Sequence, residues 1–381
     1  MELKSMVPPL SETLSRHYNH LHANPEVSWS EHETTQYLVQ ELKALGLSPQ
    51  RFEDMTGLYV DIGKGTPRVG LRADIDALWQ EVDGEFQANH SCGHDGHMTM
   101  ALGAAQILSA KADRLPGAVR VVFQPAEEKG NGALALLEKG VIDPLSYLFG
   151  VHVRPLIELP EGIHSPALHH GAARMIRGTI TGVEAHGARP EEGINAIEAA
   201  SALVDALKRI WIQPGKSGSI KMTQIQAGGT AVNIIPGTAT FSLDCRAQQN
   251  ETMDLLMAGL DKAIASVQAL YGVTIDFHIG AAIVAAQVDA EAADLMKQAI
   301  TQVVGEQRCG AEIVSPGGED FHYFTFHKPK LKTTMLGLGC GVTPGLHHPK
   351  MTFTSSYLED GAFILARAAQ LALEKLEEEA K

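Results

Sequence analysis

The spacing of apolar residues along the first part of the chain is typical of helices in some segments and of strands in others. Apolar residues that recur every three or four positions predict helices at 8–22, 31–45, 96–110 and 132–139. Short apolar runs bounded by turn residues predict a hairpin over 51–63 and buried strands at 68–74, 118–124 and 146–153. Because these strands alternate with helices, the pattern predicts a mostly parallel sheet with helices on both faces.

The order of the elements changes near Leu168. The pattern then predicts strand 174–182, helix 195–210, strands 219–226 and 238–246, helix 251–270 and strand 273–279. This β-α-β-β-α-β order is that of a ferredoxin-like unit. Further helices and strands are predicted after Asp289. We therefore expect an α/β protein whose larger domain, formed by 1–168 and 285–381, contains a smaller α+β domain inserted at 169–284.

The composition narrows the classes of protein to which the chain can belong. Hydrophobic residues make up 44% of the 381 positions, which is enough for a large buried core. The 31 basic and 45 acidic residues give a net charge of −14, which argues against nucleic acids and anionic membranes as partners. No segment approaches the roughly 20 apolar residues of a membrane helix. Residues 1–14 lack the pattern of a signal peptide.

The cysteines indicate a reducing compartment. The chain has four of them, at Cys92, Cys245, Cys309 and Cys340, and they are far apart in the sequence. Four scattered cysteines are too few for a disulfide framework in a chain of this length. We therefore expect a cytoplasmic protein with reduced thiols.

The segment 90–97, with the sequence HSCGHDGH, holds three histidines and a cysteine. The thiolate of Cys92 and the imidazole of His94 can reach one side of a tight turn, and both are good ligands for Zn²⁺ or similar ions. Gly93 and Gly96 would permit the backbone angles that such a turn needs. The alternative is a polar turn before a helix, in which the histidines are incidental.

Two further candidates follow predicted strands. Glu127 and Glu128 come just after the strand at 118–124, and His152 lies at the end of the strand at 146–153. Ligands of open α/β sheets bind at the carboxyl ends of strands, so these positions suit a site. One carboxylate could bind a metal while the other acts as a general base. Alternatively, the glutamates begin a helix as solvated residues, and His152 is a buried structural histidine.

Taken together, the motifs resemble the M20 family of metal-dependent amidohydrolases and peptidases. The branch that the sequence resembles most contains bacterial N-acyl-amino-acid amidohydrolases and plant auxin-conjugate hydrolases. The resemblance covers nearly the whole chain, and five motifs occur in the order of the family: 72–74 (RAD), 92–97 (CGHDGH), 123–128 (FQPAEE), 150–153 (GVHV) and 318–321 (GEDF). Motifs in this order are far more specific than any one alone.

The resemblance implies a centre with two divalent metal ions in the larger domain. The ligands that it implies are Cys92, His94, Glu128, His152 and His347. Glu127 would be the general base, and His186 would stabilise the oxyanion of the tetrahedral intermediate. Asn233 would lie near the substrate, and Arg246 would pair with a substrate carboxylate. Zn²⁺ is the first expectation because a thiolate favours it, with Mn²⁺ or Co²⁺ as alternatives.

The function that the resemblance implies is hydrolysis of the amide bond of N-acyl amino acids or similar conjugates. The alternatives are a dipeptidase or carboxypeptidase on the same centre, or a homologue that binds a ligand without catalysis. The family also implies a homodimer formed through the smaller, lid-like domain. The sequence departs from the family pattern in a shortened segment at 77–90 and in His348, which follows the implied ligand His347 and could compete with it.

Overall fold

The computed structural model describes residues 10–381, so the first two positions of the helix predicted at 8–22 lie outside it. The α-helices of the described residues are α1 (Leu10–Ala23), α2 (His32–Ala44), α3 (His94–Ser109), α4 (Gly132–Glu138), α5 (Ala196–Leu207), α6 (Asn250–Tyr271), α7 (Ala290–Val304), α8 (His322–His327) and α9 (Leu358–Glu379). Short 3-10 helices lie at Ala112–Arg114, Pro190–Glu192, Glu306–Arg308 and Ser355–Tyr357.

The strands fall into one large sheet, one smaller sheet and several two-stranded pairs. They are β1 (Gln50–Arg51), β2 (Leu58–Ile62), β3 (Pro67–Asp74), β4 (Leu78–Val82), β5 (Glu85–Asn89), β6 (Ala118–Gln124), β7 (Tyr147–Pro155), β8 (His164–Ser165), β9 (Leu168–His170), β10 (Ala172–Thr181), β11 (Ala185–His186), β12 (Gly218–Ala227), β13 (Ile234–Ile235), β14 (Thr238–Ala247), β15 (Thr274–Ile283), β16 (Ile313–Ser315) and β17 (Lys332–Val342).

The chain divides into two compact units. The larger unit contains the residues up to His169 together with Gln287–Val314 and Asp320–Lys381. The smaller unit contains His170–Ala286 and Ser315–Glu319. Each unit has a hydrophobic core of its own, as expected when a chain of this length forms two domains.

The larger unit is built on a seven-stranded sheet with the order β1-β2-β6-β3-β7-β17-β8. The four central strands are parallel, and antiparallel pairs occur toward both edges. β6 is buried along almost its whole length, as its nearly continuous apolar sequence requires of a strand covered on both faces. In the register of the sheet Asp74, the last residue of β3, lies beside Gln124, the last residue of β6.

Helix packing keeps this sheet covered. α3 and α7 each contact α9, and the three helices pack on β3 and β17, while α4 packs on β6 and α8. The approach of α3 to α9 is close because Gly103 has no side chain: a Cβ atom there would lie 2.8 Å from that of Ala362. α3 is buried almost all round, since it lies between the sheet and its neighbouring helices.

The smaller unit has an antiparallel sheet in the order β12-β14-β10-β15. Residues along β14 alternate, with Phe241, Leu243 and Cys245 buried and the intervening polar residues more exposed. The apolar face packs on α5 and α6, and the other face is polar, as is common for antiparallel sheets. The chain order β10-α5-β12-β14-α6-β15 is the predicted β-α-β-β-α-β unit.

The predicted fold class is therefore confirmed: the chain is an α/β protein with a mostly parallel sheet, flanking helices and an inserted ferredoxin-like unit. The pattern did not predict the hairpin formed by β4 and β5, in which Trp79 and Ala88, and Gln80 and Gln87, lie opposite each other. No helix of residues 10–381 combines the length and apolar character needed to cross a membrane.

Candidate metal centre

The carboxyl ends of the four parallel strands carry most of the chemically active side chains of the larger unit. β3 ends at Asp74, β6 leads to Glu127, and His152 lies near the end of β7. The loop after β17 carries His347, and Cys92 lies just before α3. Because the strands are parallel, these positions share the edge of the sheet at which open α/β proteins bind their ligands.

Thiol, imidazole and carboxylate groups converge at this edge. Atoms within 4.8 Å of one another define three overlapping groups: Cys92, His94 and His152; Cys92, Glu128 and His347; and His94, Glu127 and Glu128. The Cys92 Sγ–His152 Nε2 distance is 3.6 Å, and the His347 Nε2–Glu128 Oε1 distance is 3.5 Å. These are the ligand types of zinc and related transition metals.

Two buried atoms of this cluster have no hydrogen-bond partner. They are Nε2 of His94 and Oε1 of Glu128, which lie 3.8 Å apart. Buried polar atoms are nearly always paired, so two unpaired polar atoms side by side call for an explanation. A cation between them would satisfy both, and the donor set therefore fits divalent cations.

Hydrogen bonds fix which nitrogen of each ring faces the cluster. Nδ1 of His94 lies 2.8 Å from the carbonyl oxygen of Asp76, and Nδ1 of His152 lies 2.7 Å from that of Val153. A carbonyl oxygen only accepts hydrogen bonds, so both Nδ1 atoms carry the proton. In the neutral rings both Nε2 atoms therefore present a lone pair, which is the state required of a metal ligand.

His97 has a different role from its neighbour His94, although both lie close to Asp74. Its Nδ1 donates to Asp74 Oδ1 at 2.6 Å, and its Nε2 accepts the N–H of Val153 at 2.9 Å. Both nitrogens are thus engaged with protein groups. His97 supports the strand that carries His152 and leaves no lone pair for a cation.

The turn that carries the two glutamates is held by buried carboxylates. Asp76 accepts the backbone N–H groups of Glu127 and Glu128 at 3.2 and 3.0 Å. Glu31 accepts the N–H of Ala126 at 2.9 Å, and Ala126 adopts a left-handed φ of 54°. No local pattern points to Glu31, because it lies far from the two glutamates in the chain.

A buried ionic network lies beneath the cluster. Arg72 donates to Asp74 Oδ2 at 2.6 Å and to Asp320 Oδ1 at 3.0 Å, and all three side chains are fully buried. Asp320 also accepts from Gln124 Nε2 at 2.7 Å and from the N–H of Ala133 at 2.9 Å. Desolvated charges need such complete pairing, so the motifs at 72–74 and 318–321 form one structural support.

Charge within the cluster shifts the acidity of its members. Burial raises the pKa of the Cys92 thiol, and the Glu128 carboxylate adds to that effect. The nearby side chains of Cys92 and Glu128 raise the pKa of His347 to about 10. Burial would lower the pKa of His94, but Asp74 and Cys92 raise it well above its ordinary value. Without a metal these groups hold protons, which a cation must displace on binding.

His347 and His348 differ in their surroundings. His347 faces Cys92 and Glu128, with its own backbone in the left-handed region at a φ of 64°. Nδ1 of His348 instead accepts the N–H of Lys350 at 3.1 Å. Of the two neighbours, only His347 belongs to a group of converging donors.

The three candidates of the smaller unit lie on its surface. His186 and Asn233 are exposed neighbours, joined by a hydrogen bond from the N–H of Gly187 to the carbonyl of Asn233 at 2.7 Å. Arg246 lies at the other end of the sheet, beside Ala173, and pairs with Asp244 at 2.8 Å. Within this unit the structure brings His186 and Asn233 together and keeps Arg246 apart from them.

Known proteins resemble this chain in sequence over much of its length. The model of peptidase family M20/M25/M40 matches residues 70–371. An N-acetyl-L-cysteine deacetylase of Bacillus subtilis is 30% identical over 94% of this chain and 88% of its own. The IAA-amino acid hydrolase ILR1-like 4 of Arabidopsis thaliana is 34% identical over 68% of this chain and 61% of its own.

A solved structure is also similar. The Bacillus subtilis YXEP protein, described as a dinuclear metal-binding peptidase from the M20 family, is 27% identical with a TM-score of 0.81. The match covers 96% of this chain and 99% of that one. The resemblance inferred from the sequence motifs, including its branch of N-acyl-amino-acid and auxin-conjugate hydrolases, is confirmed. The chain therefore belongs to peptidase family M20/M25/M40.

Proposed function

We propose that the chain is a metal-dependent amidohydrolase that cleaves the amide bond of N-acyl amino acids. One observation carries the proposal: the unpaired, buried atoms His94 Nε2 and Glu128 Oε1 lie among converging donors beside Glu127. The deacetylase and hydrolase relatives, whose names specify acylated amino acids, support the substrate class.

The proposed ligands of two divalent cations are Cys92, His94, Glu128, His152 and His347. The description of the similar YXEP protein as dinuclear supports the number of ions. Zn²⁺ is the first choice because the set includes a thiol, and Mn²⁺ or Co²⁺ would also suit its imidazoles and carboxylate. When bound, such cations polarise a carbonyl group and make an attacking water more acidic.

Glu127 is placed to move the proton. One of its oxygens lies 3.4 Å from the N–H of Asp320, and the other lies 4.0 Å from His94 Nε2. As a base, Glu127 takes a proton from the water whose oxygen forms the new bond to the amide carbon. As an acid, it then gives that proton to the nitrogen as the C–N bond breaks, because an amine leaves poorly without protonation.

In this proposal His186 stabilises the negative oxygen of the tetrahedral intermediate. Its Nδ1 accepts the N–H of Ala188 at 3.0 Å, so the proton of the neutral ring is on Nε2. An exposed Nε2–H group is a suitable donor to an oxyanion. Asn233, beside His186, is proposed to contact the substrate, and Arg246 to pair with the substrate carboxylate.

The first experiment measures metal content and hydrolysis together. Purified protein loaded with Zn²⁺ should bind two ions per chain and hydrolyse N-acetyl amino acids, and a chelator should abolish the activity. Dipeptides serve as the comparison: if they are cleaved and N-acyl amino acids are not, the chain is a peptidase. Metal-loaded protein that hydrolyses neither class would contradict catalysis.

A variant tests the general base. Glu127→Gln should lower kcat by at least about a thousandfold while two metal ions stay bound, because the amide cannot take the proton. Glu138→Gln is the control, since Glu138 is exposed at the end of α4. Loss of a metal ion from Glu127→Gln would mean that the roles of Glu127 and Glu128 are exchanged.

We also propose a homodimer through the smaller unit. β12 is an edge strand of its sheet, and Ile225 on that strand is 48% exposed. Beside it lies a cavity of about 280 Å³ whose lining includes the apolar residues Leu207 and Met222 together with Lys208 and Lys221. Light scattering should give a dimer that Ile225→Arg dissociates. Ile279→Arg on the opposite edge strand is the control, and a wild-type monomer would contradict the proposal.

The proposed location is the cytoplasm. All four cysteines are free thiols, and Cys92 must stay reduced if it is to bind a cation. Fractionation of cells that express the full chain tests this location.

A further inference from the structure

The loop that carries His347 has little packing of its own. Its base is closed by two backbone hydrogen bonds between Thr343 and Thr352, at 3.0 and 2.9 Å. The side chain of His347 is 55% exposed, although it faces Glu128. A φ of 64° also costs a histidine about 1–2 kcal/mol relative to the ordinary regions. Something outside the loop must therefore hold this residue.

The β4–β5 hairpin and Ser91, two residues beyond its end, hold both sides of His347. The N–H of His347 donates to the carbonyl of Ser91 at 2.8 Å. Its carbonyl accepts from Gln80 Nε2 at 2.9 Å. Asn89 Nδ2 reaches the same loop at the carbonyl of Pro349, at 3.0 Å. The backbone of His347 is thus bonded at its N–H and at its C=O.

The orientation of the Gln80 amide is itself fixed. Its Oε1 accepts from Ser91 Oγ at 2.9 Å and from Asn89 Nδ2 at 3.0 Å. With both donors at the oxygen end, the NH₂ end must point toward the carbonyl of His347. Ser91 adjoins Cys92 in the sequence, so this one amide connects the chain segment that carries Cys92 with the one that carries His347.

We infer that Gln80 is a positioning residue that sets the cation affinity of the group formed by Cys92, Glu128 and His347. This inference rests on the proposed function, since it assumes that the group binds a metal. Gln80 makes no bond to Cys92, His94 or His152, so the group formed by these three residues should not depend on it. Residues that orient metal ligands typically contribute 10–100-fold to affinity.

The test is a Zn²⁺ titration of protein stripped with a chelator. Wild type should bind two ions. In Gln80→Met, which removes the amide at nearly constant length, one ion should bind as in wild type and the other 10–100-fold more weakly. Gln87→Met is the matched control, because Gln87 is exposed and lies opposite Gln80 on the same hairpin. Its two affinities should equal those of wild type.

A double variant separates positioning from general stabilisation. His347→Ala should weaken the same ion, and adding Gln80→Met to it should change neither affinity further, because Gln80 acts through His347. If Gln80→Met yields too little folded protein, Gln80→Glu replaces it in the test. The glutamate still accepts the hydrogen bonds from Ser91 and Asn89, and it lacks only the N–H that donates to the carbonyl of His347. Its expected result is the same.

The possible failures are distinguishable. Two ions bound by Gln80→Met with wild-type affinities would overturn the inference and leave the proposed function intact. An equal loss on adding Gln80→Met to His347→Ala would show that Gln80 stabilises the unit generally, which also overturns it. A wild-type chain that binds no Zn²⁺, Mn²⁺ or Co²⁺ would remove the proposed function and this inference together.

Discussion

The two units differ in whether their functional polar side chains are buried or exposed. The larger unit buries charged side chains beneath its sheet edge, among them Arg72, Asp74 and Asp76. In the smaller unit the buried polar side chains are Thr252 and, at the ends of its two segments, His170, Ser315 and Glu319, and the core between residues 171 and 286 is apolar. The candidate residues of the smaller unit, His186 and Asn233, are instead exposed.

This difference has an energetic meaning. Charges taken out of water stay stable only when fully paired, so the larger unit depends on its network for folding as well as for chemistry. An exposed histidine can be replaced with little effect on folding. Substitutions in the larger unit should therefore affect stability and site together, whereas those of His186 and Arg246 should affect function alone.

The largest effect should come from Arg72→Met. It would leave the carboxylates of Asp74 and Asp320 buried without their cation, which typically costs about 3–5 kcal/mol. Urea unfolding measures the change. Arg177→Met, at an exposed position in the smaller unit, should change stability by less than about 0.5 kcal/mol. Similar losses in both variants would remove the contrast between the units.

His186→Ala should give the opposite result. Loss of an oxyanion donor typically costs about 2.7–4 kcal/mol in the transition state, so kcat should fall roughly 100–1,000-fold. The midpoint of urea unfolding and the metal content should stay as in wild type, because the side chain is exposed. A variant that loses metal or stability would show that His186 is a structural residue.

Arg246→Gln should have a smaller effect on binding. A lost charged hydrogen bond costs about 1.5–3 kcal/mol, so KM for an N-acyl amino acid should rise roughly 10–100-fold at constant kcat. The matching N-acyl amino acid amide, which has no carboxylate, is the control and should be unaffected. Stability should change by less than about 1 kcal/mol, because the Arg246–Asp244 pair is partly exposed. An equal rise in KM for the amide would contradict the role.

The smallest effect should appear in the pH dependence of stability. Burial, followed by the charge of Arg16, lowers the pKa of His17 to about 4. The folded state therefore favours the neutral ring. The contribution of this preference to the free energy of unfolding is lost as the pH falls from about 6.5 toward 4. At pH 5.5 the loss is about 1 kcal/mol. Between pH 7.5 and 5.5, His17→Gln should lose less stability than wild type, and an equal loss would contradict the prediction.

The elements of both units were predictable where a local period decides them. β6 is nearly continuously apolar and β14 alternates, and the structure places both strands at or within one residue of their predicted ends. α3 begins two residues before its prediction, because Gly93 takes a left-handed φ of 84° and starts the helix at His94. Periodicity alone does not locate that turn.

The β4–β5 hairpin was missed although its signal was present. Asp83 and Gly84 form its turn, with φ angles of 52° and 92°. An Asp-Gly pair between alternating residues is a strong sign of such a hairpin. Comparison with the family pattern points only to the shortened length of the segment 77–90. It does not single out Gln80.

The supporting residues of the candidate centre could not be predicted from local patterns. Glu31 acts on Ala126, and Asp320 acts on Arg72, across large separations in the chain. Only the folded sheet brings such residues together. The motifs include Arg72 and Asp320, but no local pattern indicates that these two residues pair.

The place of β17 in the large sheet has a consequence for biosynthesis. β17 pairs with β7 along most of its length, yet the whole of residues 170–286 lies between them in the chain. A ribosome makes β7 first, so one edge of that strand waits without its neighbour while the inserted unit is translated and folds. His347 is the last of the proposed ligands to emerge. The nascent protein can therefore acquire its full complement of ions only after His347 has been translated, long after the other proposed ligands.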